Sequence, residues 1–253
     1  MGILKRIINY IIDLIKQINR RNKPHMDEVL YNLKPTKLIK IVNEQLDTLH
    51  AGRDVVDLKA IVNHWTAAPG QSAFITMHYC IFVTGNAYHY FVDRDGMIYE
   101  FIKYPHRANH CGANVYTTKA RERFPRYCPP TDHRIIPHNN TPNNITLGIC
   151  TAVEDEEGRM TPECYNSLVL INARSAVKYG KDLNIDDDII LHSFFTDKKQ
   201  CHKYFVLFPE EFIAFKQRVK YIMSIYKDSM IDEVEEYGIR IEENGSNTQV
   251  SLV

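Results

Sequence analysis

The chain has 253 residues, of which 44% are hydrophobic and 25% charged, a composition typical of a globular protein. Lys and Arg total 31, as do Asp and Glu, so the formal net charge is zero. This balance argues against a nucleic-acid binder, which needs a surplus of basic residues, and no apolar run approaches the roughly 18 residues needed to span a bilayer.

The first predicted element is a basic amphipathic helix over residues 1–23. Its apolar residues recur at helical spacing, at Leu4, Ile7, Ile8, Ile11, Leu14, Ile15 and Ile18. Two interpretations of this helix are open. Its apolar side packs on the main domain or on another copy of the chain, or it lies on an anionic membrane surface. Asn9 and Asp13 interrupt the apolar stretch, which argues against a cleavable signal peptide.

A second helical pattern covers Thr36–Leu49, where leucine, isoleucine and valine residues recur along one side. We therefore predict three regions in the chain. They are an N-terminal helical extension at residues 1–50, a central domain at residues 51–226 and a tail at residues 227–253. The tail is acidic and then polar, and we expect it to be flexible.

Strands and helices alternate through the central domain. Leu58–His64 predicts a strand, Ala73–Val83 a helix, and Tyr88–Val92 with Met97–Phe101 a hairpin around the turn Asp93–Gly96. The later predicted elements are a strand at Asn144–Val153, a helix from Thr161 to Tyr179, a strand at Asp188–His192 and a helix at Glu210–Tyr226. This order predicts an α/β fold with a mixed central β-sheet flanked by helices.

Two of the predicted strands end in a histidine, His64 and His192, and Cys201 follows nine residues after the second. Imidazole and thiolate are preferred zinc ligands, and three protein ligands with an open fourth position define a catalytic zinc site. The spacing alone is weak evidence, because the chain has 11 histidines. Its six cysteines form no CxxC pair, which favours free thiols and leaves a disulfide open.

Four stretches occur in a characteristic order: Ile61–Thr66, Ala87–Gly96, Asn144–Cys150 and His192–Cys201. Together they resemble the motifs of zinc-dependent N-acetylmuramoyl-L-alanine amidases, the family that includes phage amidase endolysins and peptidoglycan recognition proteins. The resemblance covers about residues 56–215. It implies the fold of that family and hydrolysis of the amide bond between N-acetylmuramic acid and L-alanine in peptidoglycan.

The resemblance also implies a role for individual residues. His64, His192 and Cys201 match the zinc ligands. Tyr88 matches the tyrosine that orients or deprotonates the attacking water, and Lys199 matches the lysine that stabilises the oxyanion of the tetrahedral intermediate.

Two positions depart from the family pattern. One branch of the family places a glutamate base on the central strand, where this chain has Cys150, so the chain falls on the tyrosine side. The family usually continues the last motif as Cys-Pro-Gly, whereas this chain has Cys201-His202-Lys203. His202 is therefore an alternative metal ligand.

Substrate contacts are expected on one side of this site. His110-Cys111-Gly112 resembles a substrate-facing His-x-Gly stretch of the family, and a purely structural role of His110 is the alternative. We assign substrate contact to His110, Asn144 and Thr146. The segment at residues 113–142 is rich in proline and arginine and is longer than the family pattern. It is either an inserted loop that shapes substrate choice or a loop without a functional role.

The implied partner is bacterial peptidoglycan, with an anionic membrane surface as a possible second partner of residues 1–23. We expect a protein made in the cytoplasm, for example of a phage-infected host, that acts at the cell wall. Two other classes stay open. One is a peptidoglycan-binding module that has lost zinc, against which Cys201 argues, and the other is a phage structural component with an amidase-like domain. The sequence does not predict the oligomeric state.

Overall fold

The computed structural model describes residues 36–42, 53–113, 115–129, 140–226, 231–244 and 247–252. The predicted helix at residues 1–23 lies outside these ranges, and so do residues 130–139 of the proposed insertion. The membrane interpretation of the helix therefore stays a prediction. None of the helices within the described ranges has the length and hydrophobicity needed to cross a membrane.

The strands of the described ranges form one mixed eight-stranded sheet, in the order β6-β2-β5-β3-β4-β1-β7-β8. The strands are β1 Thr36–Val42, β2 Ala60–Trp65, β3 Tyr90–Val92, β4 Ile98–Glu100, β5 Thr146–Thr151, β6 Ile189–Leu191, β7 Ile231–Asn244 and β8 Asn247–Leu252. β2 is parallel to both β5 and β6, and β3 is parallel to β5. The predicted hairpin is the antiparallel pair β3 and β4.

Helices accompany this sheet, as the sequence predicted. The α-helices are α1 Ala73–Tyr79, α2 Thr118–Arg123, α3 Pro162–Tyr179, α4 Ile185–Asp188, α5 Lys203–Leu207 and α6 Pro209–Ile225. A π-helix at Cys80–Thr84 continues α1, and 3-10 turns occur at Pro142–Asn144 and His192–Phe194. The long helix α3 begins as predicted, because the Thr161 side chain accepts a hydrogen bond from the Cys164 backbone N–H. The α/β fold class is thus confirmed.

Two segments differ from the sequence-based prediction. Thr36–Val42, expected to begin a helix, is strand β1, and it pairs in parallel with β4 on one side and β7 on the other. Pairing on both sides outweighs the weak helical spacing of its apolar residues. In the region expected to be a flexible tail, β7 and β8 form an antiparallel pair. The three-region division of the chain itself remains a prediction.

The register of the central strands brings their carboxyl ends to one edge of the sheet. His64 of β2 lies opposite Cys150 of β5, and Asn63 lies opposite Leu191 of β6, the residue before His192. Because side chains alternate along a strand, Asn63 and His64 point to opposite faces of β2. His64 and His192 therefore meet at one end of the sheet.

The face of β2 that carries Asn63 packs against α3. Asn63 and Asn172 are both fully buried, and each amide nitrogen donates to the other's oxygen, at 3.1 Å and 3.0 Å. The Asn172 amide also donates to the Leu168 carbonyl at 2.9 Å. These bonds satisfy polar groups that would otherwise be costly to bury, so this pair fixes how α3 docks on the sheet.

Candidate active site

A cleft of about 750 Å³ opens at the carboxyl ends of β2 and β6. Six of the residues predicted for the site line it: His64, Tyr88, His110, His192, Lys199 and Cys201. The strand ends and the segment after β6 bring these residues together although they are far apart in the sequence.

The three predicted metal ligands form a compact group. His64, His192 and Cys201 are all buried, and their potential ligand atoms lie within 4.8 Å of one another. The Cys201 Sγ is 3.7 Å from the Nδ1 of His64. Zinc held tetrahedrally at ordinary Zn–N and Zn–S bond lengths separates its nitrogen and sulfur ligands by about 3.6 Å. The donor set and its spacing therefore fit a zinc ion.

The His192 ring supports the same conclusion. Its Nε2 is buried and has no hydrogen-bond partner. The pKa of His192 is lowered to about 4, mainly by burial and also by the Lys199 charge, and a hydrogen bond to the Gly112 backbone partly opposes both effects. The ring is thus neutral at pH 7, and the nitrogen without a partner offers its lone pair. A buried, unpartnered acceptor of this kind is what a metal would satisfy.

Burial also controls the protonation of the other two ligands. It lowers the pKa of His64 well below the usual value, with smaller effects from His192 and His110. It raises the pKa of the Cys201 thiol to about 12, partly opposed by a hydrogen bond from the Trp65 backbone and by the Lys199 charge. Without a metal the thiol keeps its proton, so metal binding must release one.

His110 lies deeper than the predicted substrate contact would require. Only 4% of its surface is exposed. Its Nδ1 is 3.0 Å from the His64 Nε2, and its Nε2 is 3.2 Å from the Thr146 Oγ1. Thr146 is fully buried, and neither Thr146 nor Asn144 is among the residues lining the cleft. The substrate contacts assigned to these three residues remain predictions.

His110 also belongs to a second group of possible ligands, with His64 and Cys111. The His64 and His110 nitrogens in this group are 3.0 Å apart, an ordinary hydrogen-bond length. Two nitrogens bound tetrahedrally to one zinc ion stand about 3.3 Å apart. This contact is therefore better described as a hydrogen bond than as a metal site.

The two predicted catalytic residues both line the cleft. The half-buried Tyr88 ring contacts His64 edge-on, with ring centroids 5.0 Å apart. Burial raises its pKa well above the usual value, and its hydroxyl is hydrogen-bonded to the buried Cys150 thiol. Lys199 is exposed at the cleft, and its charge lowers the pKa of both histidine ligands.

His202, the alternative ligand, points elsewhere. It is fully buried, with its Nε2 2.8 Å from the Thr151 Oγ1 and its ring against Phe205. It belongs to neither group of possible metal ligands in the described part of the chain. Cys201 is therefore the better candidate for the third ligand.

Sequence reasoning missed several groups that support the site. Asn143 accepts hydrogen bonds from the backbone N–H groups of His110 and Cys111, at 3.1 Å and 2.7 Å. A Cβ atom on Gly148 would lie 2.5 Å from the His110 ring, so this strand position must be glycine for the ring to lie there. The His-x-Gly stretch was the sequence signal for this region, although it suggested contact with substrate rather than with His64.

Comparisons with known proteins agree with this geometry. The family model described as N-acetylmuramoyl-L-alanine amidase matches residues 52–204. The PlyG catalytic domain superposes with a TM-score of 0.54 at 17% identity, covering 74% of this chain and 94% of that one. A mutant of PlyL superposes with a TM-score of 0.53 at 18% identity, covering 72% of this chain and 98% of that one.

These two structures share the fold of the chain, since identities this low carry no more than that. No curated protein sequence matches significantly. The family model, in contrast, spans more than half of the chain and includes β2, the hairpin, β5 and the segment through Cys201. The chain therefore belongs to the N-acetylmuramoyl-L-alanine amidase family.

Proposed function

We propose that the chain is a zinc-dependent amidase that hydrolyses the bond between N-acetylmuramic acid and L-alanine in bacterial peptidoglycan. One observation carries this proposal. Two imidazoles and one thiol converge at the cleft with ligand atoms within 4.8 Å of one another. We place the catalytic unit at residues 51–226, and the family match to residues 52–204 supports that assignment.

His64, His192 and Cys201 would hold the ion, and all three line the cleft. Zinc bound there would lower the pKa of a water molecule from about 15.7 towards 7 and polarise the amide carbonyl. The protein contributes a rigid frame, because both histidines follow directly from paired strands of the sheet. Their burial keeps both rings neutral and able to bind a cation.

Tyr88 would orient the attacking water. Its ring lies against His64, and its raised pKa keeps the phenol protonated and able to donate a hydrogen bond. The neighbouring strand position that a glutamate base occupies in another branch of the family is Cys150, which is 1% exposed and takes part in a hydrogen bond with Tyr88. Because Cys150 occupies the position of that glutamate, we assign the orientation of the attacking water to Tyr88.

Lys199 would act later in the reaction. Its exposed ammonium group lines the cleft next to the metal ligands, where it can donate to the oxyanion that forms when water adds to the carbonyl. Collapse of the tetrahedral intermediate would break the carbon–nitrogen bond, and the leaving amine of L-alanine would take up the proton that the attacking water gave up. No metal coordination is required of Lys199.

A cell-wall-lysing role of the endolysin kind is part of this proposal. The alternative of a binding module without catalysis is disfavoured by the complete ligand set, since a module that has lost zinc would not need to bury a thiol between two imidazoles. Association of residues 1–23 with a membrane remains a separate prediction.

The deciding experiment is mass analysis of fragments from purified peptidoglycan digested with the full chain. We expect free stem peptides with an N-terminal L-alanine, and about one zinc ion per chain by elemental analysis. A chelator should stop the reaction and added zinc should restore it. Cleavage at a glycosidic bond, or full activity of metal-free protein, would contradict the proposal.

A further inference from the structure

We propose that His110 is a positioning residue that holds His64 in the tautomer able to bind the metal through Nδ1. The inference rests on the proposed zinc site and adds a residue to it. The geometry gives the direction of each hydrogen bond along a chain that runs from a backbone carbonyl to the ligand nitrogen.

The chain of hydrogen bonds begins at Pro142. The Thr146 Oγ1 lies 2.8 Å from the Pro142 carbonyl oxygen. A carbonyl only accepts, and it lies closer than the other acceptor, the Cys111 sulfur at 3.8 Å, so the threonine hydroxyl donates its one proton to Pro142. The same Oγ1 is 3.2 Å from the His110 Nε2. Having used its proton, Thr146 can only accept from the ring, and the His110 proton must therefore lie on Nε2.

The next step fixes His64. A neutral imidazole has one donor nitrogen and one acceptor nitrogen. With its proton on Nε2, His110 presents a bare Nδ1 to the His64 Nε2, which is 3.0 Å away. His64 must then donate from Nε2, which leaves its own Nδ1 without a proton. That Nδ1 is the atom 3.7 Å from the Cys201 sulfur, so the tautomer is the one a metal needs.

One group competes for the His110 Nδ1. The Cys111 sulfur is also 3.0 Å from it. A thiol is a much weaker donor than an imidazole N–H, so we assign the lone pair to His64. Gly148 fixes the ring position, because any side chain there would collide with His110.

The same short segment serves the second histidine ligand. The His192 ring is hydrogen-bonded to the backbone of Gly112, two residues after His110, and its Nε2 has no partner. The ring therefore donates from Nδ1 and presents Nε2 to the site. Residues 110–112 thus set the tautomer of both imidazole ligands, one through a side chain and one through the backbone. Partners of this kind are typically worth about 10–100-fold in metal affinity.

The test measures the zinc dissociation constant by chelator competition in His110→Ala, Thr146→Val and two matched controls. We expect His110→Ala to weaken zinc binding by about 10–100-fold, and Thr146→Val to weaken it in the same direction but less. The control Thr146→Ser keeps the hydroxyl and should bind zinc as the wild type does. The control Cys111→Ala removes the buried sulfur next to His110 in the same segment and should also keep wild-type affinity.

A second readout does not depend on bound metal. Nitrogen-15 NMR of the metal-free protein should show His64 protonated on Nε2, and loss of that preference in His110→Ala. Conversely, His110→Asn should restore much of the zinc affinity, because its amide oxygen sits where Nδ1 was and can accept from His64. Circular dichroism of each variant identifies any that fail to fold, and the NMR measurement on the wild type then decides alone.

Three results would overturn the inference. They are wild-type zinc affinity in His110→Ala together with a raised KM for soluble muropeptide, a His64 proton on Nδ1 in the wild type, or loss of zinc in Cys111→Ala. The first would make His110 a substrate contact. None of these results is the same as failure of the proposed function, which would appear as absence of zinc or of amide hydrolysis in the wild type itself.

Discussion

Two successive residues of β2 bury polar side chains on opposite faces of the sheet, and the two faces differ in one respect. Asn63 exchanges two hydrogen bonds with Asn172. His64 lies among His110, His192 and Cys201, where the His192 Nε2 lacks any partner. Both positions of β2 are buried, so burial does not distinguish them, whereas the Asn63–Asn172 pair is mutually hydrogen-bonded and the histidine group leaves one nitrogen without a partner.

The difference has a physical origin. A buried amide pair that satisfies itself needs nothing further and holds a helix in place. A set of neutral imidazoles and a protonated thiol is only partly satisfied, and a cation would complete it. Four substitutions or conditions separate the two faces experimentally, and they follow in order of expected effect.

The largest effect is expected at the ligand face. Cys201→Ser should lose zinc and amidase activity together, because a serine hydroxyl is a far poorer zinc ligand than a thiolate. Unfolding of the metal-free variant should match that of the metal-free wild type, since the Asn63 face is untouched. Elemental analysis and peptidoglycan turnover measure both properties. Retention of one zinc per chain in Cys201→Ser would make the group containing Cys111 the next candidate.

Acid should act on the histidines and leave the amide pair unaffected. Burial lowers the pKa of His89 to about 4 and that of His202 to about 3, against about 6.5 in an unfolded chain. The unfolded state therefore binds more protons below pH 6.5, and stability falls as the pH falls towards 4. Each of these histidines should cost about 2 kcal/mol at pH 5 relative to pH 7.

Denaturant unfolding of the metal-free protein at pH 7 and pH 5 measures this loss. His202→Gln provides the control, because a glutamine does not titrate and should reduce the pH dependence by the share of one histidine. Equal stability at the two pH values would show that the buried histidines do not stay neutral in the folded protein.

The variant Lys199→Ala tests whether metal binding and catalysis depend on different residues of the site. Lys199→Ala should keep its zinc and its KM but lower kcat by about 10²–10³, because the ammonium acts on charge present only in the transition state. Lys198 is the adjacent exposed lysine and lines the same cleft. Lys198→Ala is therefore the matched control and should change kcat little. A Lys199→Ala variant that turns over substrate at the wild-type rate would remove this residue from the mechanism.

The smallest effect is expected at the packing face. Asn172→Ala leaves the Asn63 amide buried without its partner and should cost about 1–3 kcal/mol of stability, with the zinc dissociation constant unchanged. The double variant Asn63→Leu/Asn172→Leu removes both polar groups and should recover most of that stability. A change in zinc affinity in Asn172→Ala would show that the two faces of β2 are coupled.

The sequence predicted much of the central sheet, and it singled out three residues that the structure brings together at the cleft. Apolar runs ending in His64 and His192 predicted β2 and β6, and the turn Asp93–Gly96 predicted the hairpin. Such signals are local, since each lies within one element. The family resemblance supplied the order of the motifs, which made the isolated histidines interpretable.

Most of what the sequence did not predict depends on contacts between distant segments, and the β7–β8 pair is the exception. β1 pairs with β4 and β7, and its residues alone do not reveal either partner. The β7–β8 pair did carry a local signal in the alternating Ile239 and Ile241, followed by Asn244 and a glycine. The orientation of His110 towards His64 depends on the space left by Gly148 on another strand, which only a three-dimensional arrangement shows.

The six cysteines of the chain are all free and buried. Burial raises the pKa of Cys80 to about 11 and those of Cys128 and Cys201 to about 12. The thiolate is the form that reacts with disulfide reagents and alkylating agents. The thiols of the folded protein should therefore react slowly, at a rate limited by local opening of the structure. Residue-resolved thiol labelling would then report the rate of local opening at three places: at the cleft, at the start of the π-helix that follows α1, and in the 113–142 segment.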